Sequence, residues 1–341
     1  MSTHPDLSWR EHAARSLRGM ELIVDAPLSK RTTFGIGGPA DLLAIAANDD
    51  HVRAVLHLVD EHSLPLFVLG GGSNLLVSDG GVRGVVLSLG GDLAALTISE
   101  NGKRIDVGAG CTYPRLTRTA LELGWPSAVG WMGTPGQVGG ALLMNAGSRW
   151  GEIKDVVVEV TAVSALGSKT VPAAECAFSY RSSAFQLRSG VVADSFDISV
   201  TSADQKMKHL VLTHALLRCD NFESKKSSEL TASAKELLVR RHKTQPKLRS
   251  AGSLFKNPPG DFAGRLIEAS GLKGFTVGRA QVSTVHANFV VNLGGASSKD
   301  VVAVADHVIA TVLQQHAVTL EWEVRRVGEE LCAPPSQSSA P

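Results

Sequence analysis

The stretch Leu66–Val86, LFVLGGGSNLLVSDGGVRGVV, runs from an apolar β-type segment (Phe67, Val68, Leu69) into three consecutive glycines, Gly70, Gly71 and Gly72, followed by Ser73 and Asn74. A strand that breaks into side-chain-free backbone can aim several N–H groups at one phosphate. The third glycine of the dinucleotide fingerprint G-x-G-x-x-G is missing, and LLVSDGGVRGVV continues with turn glycines and β-branched residues instead of a helix. A glycine-rich turn in a β protein accounts for GGGSN equally well, so this loop needs corroboration from elsewhere in the chain.

Upstream, residues 1 to about 20 read as a loose start and a short helix. RTTFGIGGPADLLAIA (Arg31 to Ala46) then places Gly37-Gly38 before Pro39 and an apolar run, a turn leading into a strand. Val52, Val55, Leu56, Leu58 and Val59 recur at near-helical spacing between Asp49 and Ser63, and SLPLFVLG returns to β character. The opening is therefore a βαβ-like unit that ends in the glycine loop. Downstream, Gly90 to Gly110 alternates short strands and turns, with Asn101-Gly102 as a hairpin signal, and Tyr113 to Gly124 predicts a helix stopped by its final glycine. A second glycine concentration follows in VGWMGTPGQVGGALLMNAG, where Gly133, Pro135, Gly136, Gly139 and Gly140 fall within eight residues. Packing of a helix on a strand explains part of that density. Two such loops without a Walker lysine favour an extended, phosphate-bearing cofactor over a nucleoside triphosphate.

Composition narrows the partners. The chain has 341 residues, 43% of them hydrophobic, and a net charge of +1 with no Lys/Arg block, so we expect small-molecule partners, no nucleic acid and no membrane surface. Cys111, Cys176, Cys219 and Cys332 form no C-x-x-C pair, which argues against zinc, a redox dithiol or a disulfide framework. No signal-peptide core and no apolar run of about 18 residues is present, and the expected location is cytoplasmic. The eleven histidines show no metal-ligand spacing, and no metal is expected.

TTFGIGGPADLL, VLGGGSNLLVSDGGVRGVVL and GTPGQVGGALLMNAG resemble, in order, the FAD-binding segments of the UDP-N-acetylenolpyruvoylglucosamine reductase family, flavoenzymes that complete UDP-N-acetylmuramic acid in bacterial wall synthesis. Cys176–Phe185 (CAFSYRSSAF) is similar to that family's C-x-F-x-Y-R-x-S-x-F motif, and AGSLFKNPPGDFAGRLIEASGLKG, GRAQVSTVHANFVVN and LEWEVRRVG continue the resemblance to about residue 328. PPGDFAG resembles the shorter branch, which lacks an extra substrate-closing insertion. The resemblance implies an α+β protein: a two-part FAD-binding region of the PCMH/vanillyl-alcohol-oxidase type (21–92 and 93–225) followed by an α+β substrate-binding lobe (226–330), flanked by an N-terminal extension (1–20) and a disordered tail (331–341). It implies noncovalent FAD held at Gly70, Gly71, Gly72, Ser73, Asn74, Gly133, Thr134, Pro135, Gly136, Gly139 and Gly140, with NADPH as hydride donor. Thr134 and Gln137 depart from the usual Ile and Ser/Thr, which puts a longer side chain beside the flavin loop. The segment 187–208 is longer than the resemblance leads one to expect, and no function attaches to it.

Reducing an enol ether that carries a carboxylate leaves negative charge delocalised into that carboxylate, so the site needs a cation, a carboxyl partner and a proton donor. The resemblance assigns these to Arg181, Glu323 and Ser253. A guanidinium is permanently charged and can hold a carboxylate bidentately; pattern alone leaves Arg181 a surface arginine and Ser253 a loop serine. Val318, Leu320, Trp322 and Val324 alternate with Glu321, Glu323 and Arg325, which by period two puts both glutamates on the polar face of a strand. The resemblance selects Glu323, the second of the pair, and offers Tyr180, Lys256 and Asn257 for the diphosphate of UDP-N-acetylglucosamine enolpyruvate, with Arg279 and His286 in the same region.

The last third predicts a helix from about Thr231 to Arg241 ended near Gln245-Pro246, a short helix Phe262–Ser270 capped by Asp261, and a helix opened by the capping box Ser297–Asp300 with Val301, Val304, Val308 and Val312 as its apolar stripe. No separate nicotinamide-binding fold is visible, so NADPH and the sugar nucleotide are expected to use one pocket in turn, acting on a monomer. Two other readings are an FAD-dependent oxidase of the same superfamily, for which the loop lacks a following His, and a non-catalytic sugar-nucleotide sensor.

Overall fold

A computed structural model describes residues 7–185, 209–220 and 227–329; the 187–208 segment and the 331–341 tail lie outside them. The protein is α+β. It divides into two compact units, each assembled from separate stretches of chain: Met1–Val24, Leu42–Gly71 and Gly84–Thr244 in the first, and Asp25–Asp41, Gly72–Arg83 and Gln245–Pro341 in the second.

Helices α1 (Trp9–Ser16) and α2 (Asp49–Glu61) belong to the first unit. Asn48 starts α2 by accepting the His51 N–H at 2.9 Å, and the five apolar residues expected on its inner face are all buried. Each such aliphatic contributes about 1.5–3 kcal/mol of transfer free energy, which is why tertiary burial holds a helix of this length. Strand Leu66–Val68 pairs in parallel with Val82–Leu89, at the edge of a four-stranded sheet whose other members are Pro39–Ala46 and Glu21–Pro27. The glycine loop begins where this edge strand stops.

A second, five-stranded antiparallel sheet runs in the order Gly167–Pro172, Val157–Ser164, Val211–Arg218, Arg104–Gly108, Leu96–Ser99. The Asn-Gly hairpin signal is borne out: Asn101 and Gly102 take left-handed φ values of 54° and 89° between the last two strands. Helices α3 (Tyr113–Glu122), ended by Gly124 at φ 81°, and α4 (Val138–Leu143) follow. Trp125, Trp131 and Tyr113 are fully buried, and each polar handle that is engaged there goes to main chain: Trp125 Nε1 donates to Gly102 O (2.8 Å) and Tyr113 Oη to Ala146 O (3.2 Å).

Helix α5 (Ser227–Thr244) is longer than expected at both ends. It stops one residue before Gln245, whose helical conformation Pro246 disfavours. In the second unit, α6 (Ala263–Ala269), α7 (Ser298–His316) and the strands Thr276–Val277, Ala280–Val282 and Val290–Asn292 enclose a separate core. The α7 capping box forms as read: Ser297 Oγ accepts from Asp300 N and Asp300 Oδ2 from Ser297 N, both at 3.1 Å. The same helix start is tied to the chain leaving the glycine loop, because the Asp79 carboxylate accepts the Ser298 N–H and the Asp79 N–H donates to Ser298 Oγ.

Two local expectations are corrected. Phe262, not Asp261, is the N-cap of α6; the Asp261 carboxylate is drawn to Arg265 and to the Phe262 N–H, while Asn257 Oδ1 accepts the Ala263 N–H at 3.1 Å. The segment 318–324 is not a regular strand. It makes the single bridge Phe255↔Trp322, and pairing becomes continuous only at Arg325–Val327, which lies parallel to Leu75–Val77.

Candidate active site

The first unit brings the beginnings of both glycine loops together. A Cβ on Gly71 would stand 2.6 Å from Gly136 Cα, and one on Gly70 would meet Gln137 Oε1 at 3.4 Å. Close packing of main chain on main chain thus already requires glycine at 71. Gly133 and Gly136 take φ values of 77° and 106°, which explains them as turn residues. Gly140 is different: it is exposed inside α4, its φ is ordinary, and a Cβ there would meet nothing within 4 Å. A helix-interior glycine costs about 1 kcal/mol relative to Ala, and among the described residues no contact returns it. Open space beside a bare Cα is what the approach of a cofactor requires, so the residues fit FAD on this point.

Tyr180 and Arg181 form the two-residue apex of a tight turn closed by Ser179 and Ser182, whose N–H groups donate to each other's carbonyls at 3.0 and 3.2 Å. Arg181 holds φ 54°. That left-handed conformation is strained by roughly 1–2 kcal/mol for a residue with a Cβ, and such strain gathers at functional sites. The guanidinium lies 5.5 Å from the Tyr180 ring centroid and donates to Gly147 O at 3.4 Å.

Arg241, near the end of α5, was missed by the sequence reading. Its Nη1 donates to Met132 O at 2.8 Å and lies 3.5 Å from Thr134 Oγ1, so the unusual Thr134 faces a guanidinium. Burial, and secondarily the positive charge of Arg181, holds the Arg241 pKa below the usual arginine value. The run RRHKTQP contained the signal, a cationic helix end before a proline, but no spacing rule connects it to Gly133.

In the second unit the remaining motifs are laced into a closed circuit. Thr33 donates its N–H to Gly72 O (3.0 Å) and its hydroxyl to Ser250 O (2.8 Å). Ser253 bridges Phe289, and next to it Leu254 O accepts the Glu323 N–H at 2.8 Å. Asn74 Nδ2 donates to Glu323 O (3.1 Å), and Asn74 O accepts the Arg325 N–H (3.0 Å). The glycine loop, the serine motif and the glutamate motif are joined mostly through main-chain atoms. Gly72, at φ 60°, is required by the fold itself, since a Cβ would lie 2.1 Å from Arg31 O.

The circuit separates the two glutamates that pattern left equivalent. Glu321 is exposed and pairs with Lys256 Nζ at 3.3 Å, whereas Glu323 is half-buried. Arg325, also missed, is half-buried, and desolvation lowers its pKa. Lys256 is thus engaged with Glu321, and Asn257, its Oδ1 used on α6, has only Nδ2 to offer an anion. His286 Nδ1 accepts from Asn288 N (3.2 Å), and burial lowers its pKa. Arg279 is occupied in holding Leu293 O and Gly294 O ahead of α7.

A glycine-lined FAD-binding region joined to a smaller domain with a serine and a glutamate motif defines a class, the flavin-dependent reductases of sugar nucleotides. Residues 40–170 match the FAD binding domain family, and residues 245–327 match the UDP-N-acetylenolpyruvoylglucosamine reductase C-terminal domain. The UDP-N-acetylenolpyruvoylglucosamine reductase of Anaeromyxobacter dehalogenans (strain 2CP-C) is 43% identical over 324 residues, 95% of this chain and 90% of its own length. That of Bacillus velezensis is 36% identical across 93% of this chain and 99% of its own. The crystal structure of the Thermus caldophilus reductase superposes with a TM-score of 0.70 at 34% identity, covering 90% of this chain and 98% of that one. The chain belongs to the UDP-N-acetylenolpyruvoylglucosamine reductase family. Among the described residues no helix is long and apolar enough to cross a membrane.

Proposed function

We propose that this protein is an FAD enzyme that uses NADPH to reduce the enolpyruvyl ether of UDP-N-acetylglucosamine to UDP-N-acetylmuramate, as a cytoplasmic monomer serving peptidoglycan synthesis. The observation that carries the reading is the circuit Gly72–Thr33–Ser250 and Leu254–Glu323–Asn74, which holds a flavin-type loop, a serine and a carboxylate in one unit. Gly70 to Asn74 and Gly133 to Gly140 are the residues that would hold the cofactor. FAD held there would supply hydride chemistry, with NADPH as the source, for reduction of the enolpyruvyl group.

The protein's own groups handle the charge and the proton. Arg181, strained at the apex of its turn, presents a permanent cation to the substrate carboxylate as negative charge develops there. The Glu323 carboxyl group serves as hydrogen-bonding partner of the enolate. Ser253 Oγ delivers the proton to the adjacent carbon; a serine is a very weak acid, but an enolate is a strong base. Tyr180, Lys256 and Asn257 serve the diphosphate of the sugar nucleotide. NADPH and the sugar nucleotide use one pocket in turn, which requires ping-pong kinetics. The test is NADPH oxidation by the purified yellow protein with and without UDP-N-acetylglucosamine enolpyruvate. Oxidation that does not depend on the enolpyruvyl sugar and instead consumes oxygen refutes the reading in favour of an oxidase.

A further inference from the structure

We propose that His12, Glu61 and His62 form a binding site for one divalent transition-metal ion of the Zn2+ class, clamping α1 to the C-terminal end of α2. His12 Nδ1 lies 2.8 Å from His62 Nε2 and 3.7 Å from Glu61 Oε1, and one donor atom from each residue lies within 4.8 Å of both others. The two imidazole rings meet edge to face with centroids 4.9 Å apart. In a tetrahedral site with metal–ligand bonds of about 2.0–2.2 Å, neighbouring donors stand about 3.3 Å apart. The observed separations bracket that value. Opening the histidine pair by about half an ångström and swinging the Glu61 carboxylate in toward both imidazoles completes three vertices, and water supplies the fourth.

The backbone under these side chains is fixed, so only rotamers need to adjust. Trp9, Ala13 and Leu17 anchor α1 in the core of the first unit. The His62 N–H closes α2 on Leu58 O at 3.1 Å. Glu61, the most exposed of the three at 59%, has the freest side chain to swing. His62 is the C-cap of α2, where the helix dipole favours positive charge. Without a cation, His12 Nδ1 has to serve a second imidazole and a carboxylate at once; with one, every lone pair converges on the ion. Two imidazoles and a carboxylate suit Zn2+ and its neighbours and not Mg2+ or Ca2+, which demand oxygen ligands. An eight-residue helix is marginal alone, and an ion that binds only the folded state adds stability in proportion to the logarithm of its occupancy ratio. None of these residues takes part in the proposed reduction.

The experiment titrates the chelator-treated full-length protein with Co2+, followed by its visible d–d bands, and then displaces it with Zn2+. One equivalent of low-coordinate Co2+, its bands abolished by Zn2+, and a Zn2+-dependent rise of several degrees in Tm are expected. The His12→Ala/His62→Ala protein should lose the bands and the Tm response. Glu61→Gln and His12→Gln, which preserve side-chain bulk, should weaken Co2+ binding tenfold or more while circular dichroism stays that of the parent. No saturable Co2+ binding to the parent, or undiminished binding to the double or the two single variants, overturns the site and leaves a hydrogen-bonded histidine pair.

Discussion

Glu321 and Glu323 are two residues apart, and their substitution by glutamine separates the proposed catalytic carboxyl group from a surface ion pair within one segment. Every tether of Glu323 described above uses its main chain, the N–H to Leu254 O and the carbonyl from Asn74 Nδ2. Glu323→Gln keeps both, and the side chain keeps its size. If the Glu323 carboxyl group stabilises the developing enolate as a hydrogen-bond donor, its loss should lower kcat and kcat/KM together by about 10²–10³-fold, or roughly 2.7–4 kcal/mol, the range for one preorganised electrostatic group. Glu321→Gln removes only the pair with Lys256, whose side chains are 42% and 74% exposed for lysine and glutamate. An exposed pair contributes up to about 0.5–1 kcal/mol, a small Tm decrease of about 1–4 °C, and turnover should change by less than a factor of a few. Steady-state kinetics at matched flavin content decides the matter. Equal small effects at both positions would return Glu323 to the role of a solvated strand-end residue, and a large effect at Glu321 alone would show the register to be wrong by two.

Ser253→Ala should leave NADPH reduction of the flavin intact in stopped-flow while turnover of the enolpyruvyl sugar falls by about 10²–10⁴-fold or more; a parallel fall in flavin reduction would refute the proton-donor role. Gly140→Ala should have opposite effects on the two forms: about 1 kcal/mol more stability in the flavin-free protein, read as a Tm rise of roughly 2–4 °C, and weaker flavin retention read from the flavin-to-protein absorbance ratio. Unchanged flavin affinity would remove Gly140 from the cofactor site. Asp300, its carboxyl held below the ordinary 3.8 first by the Ser297 N–H, stabilises the fold above the unfolded-state pKa and loses that contribution as pH falls through the lower folded-state value. Asp300→Asn should therefore cost about 1 kcal/mol near neutrality and progressively less below about pH 4, measured by denaturant unfolding across pH; a pH-independent cost would contradict the capping assignment.

The elements that were legible in the sequence are those whose signals are local. The stripe of α2, the Gly124 stop, the Asn101-Gly102 turn and the Ser297–Asp300 capping box each depend on residues within about one or two helical turns of one another, and each formed. What escaped depends on contacts between distant segments. Arg241 reaches Met132 and Thr134 across more than 100 residues, Glu323 is distinguished from Glu321 by Leu254 and Asn74, and His12 meets His62 across 50. Period two assigned both glutamates to one face because it presumed a strand, whereas 318–324 pairs only at an isolated bridge and its side chains need not alternate. The interleaving of the two units is likewise invisible to a reading by consecutive stretches, since the chain passes from the first unit to the second between Gly71 and Gly72, inside the glycine loop itself.

The glycines that first drew attention do not all argue for a cofactor. Gly71 and Gly72 are forced by main-chain contact with Gly136 and Arg31, so a fold with no ligand would keep them. The case for an anion in the first unit rests better on its two arginines. Arg181 is close enough to Arg241 that its charge, together with burial, lowers the Arg241 pKa, and Arg181 is also held in a strained turn. Placing like charges together in a partly desolvated setting costs free energy. In the proposed function an anionic ligand would offset that repulsion, as the cofactor diphosphate beside Thr134 or the substrate carboxylate at Arg181.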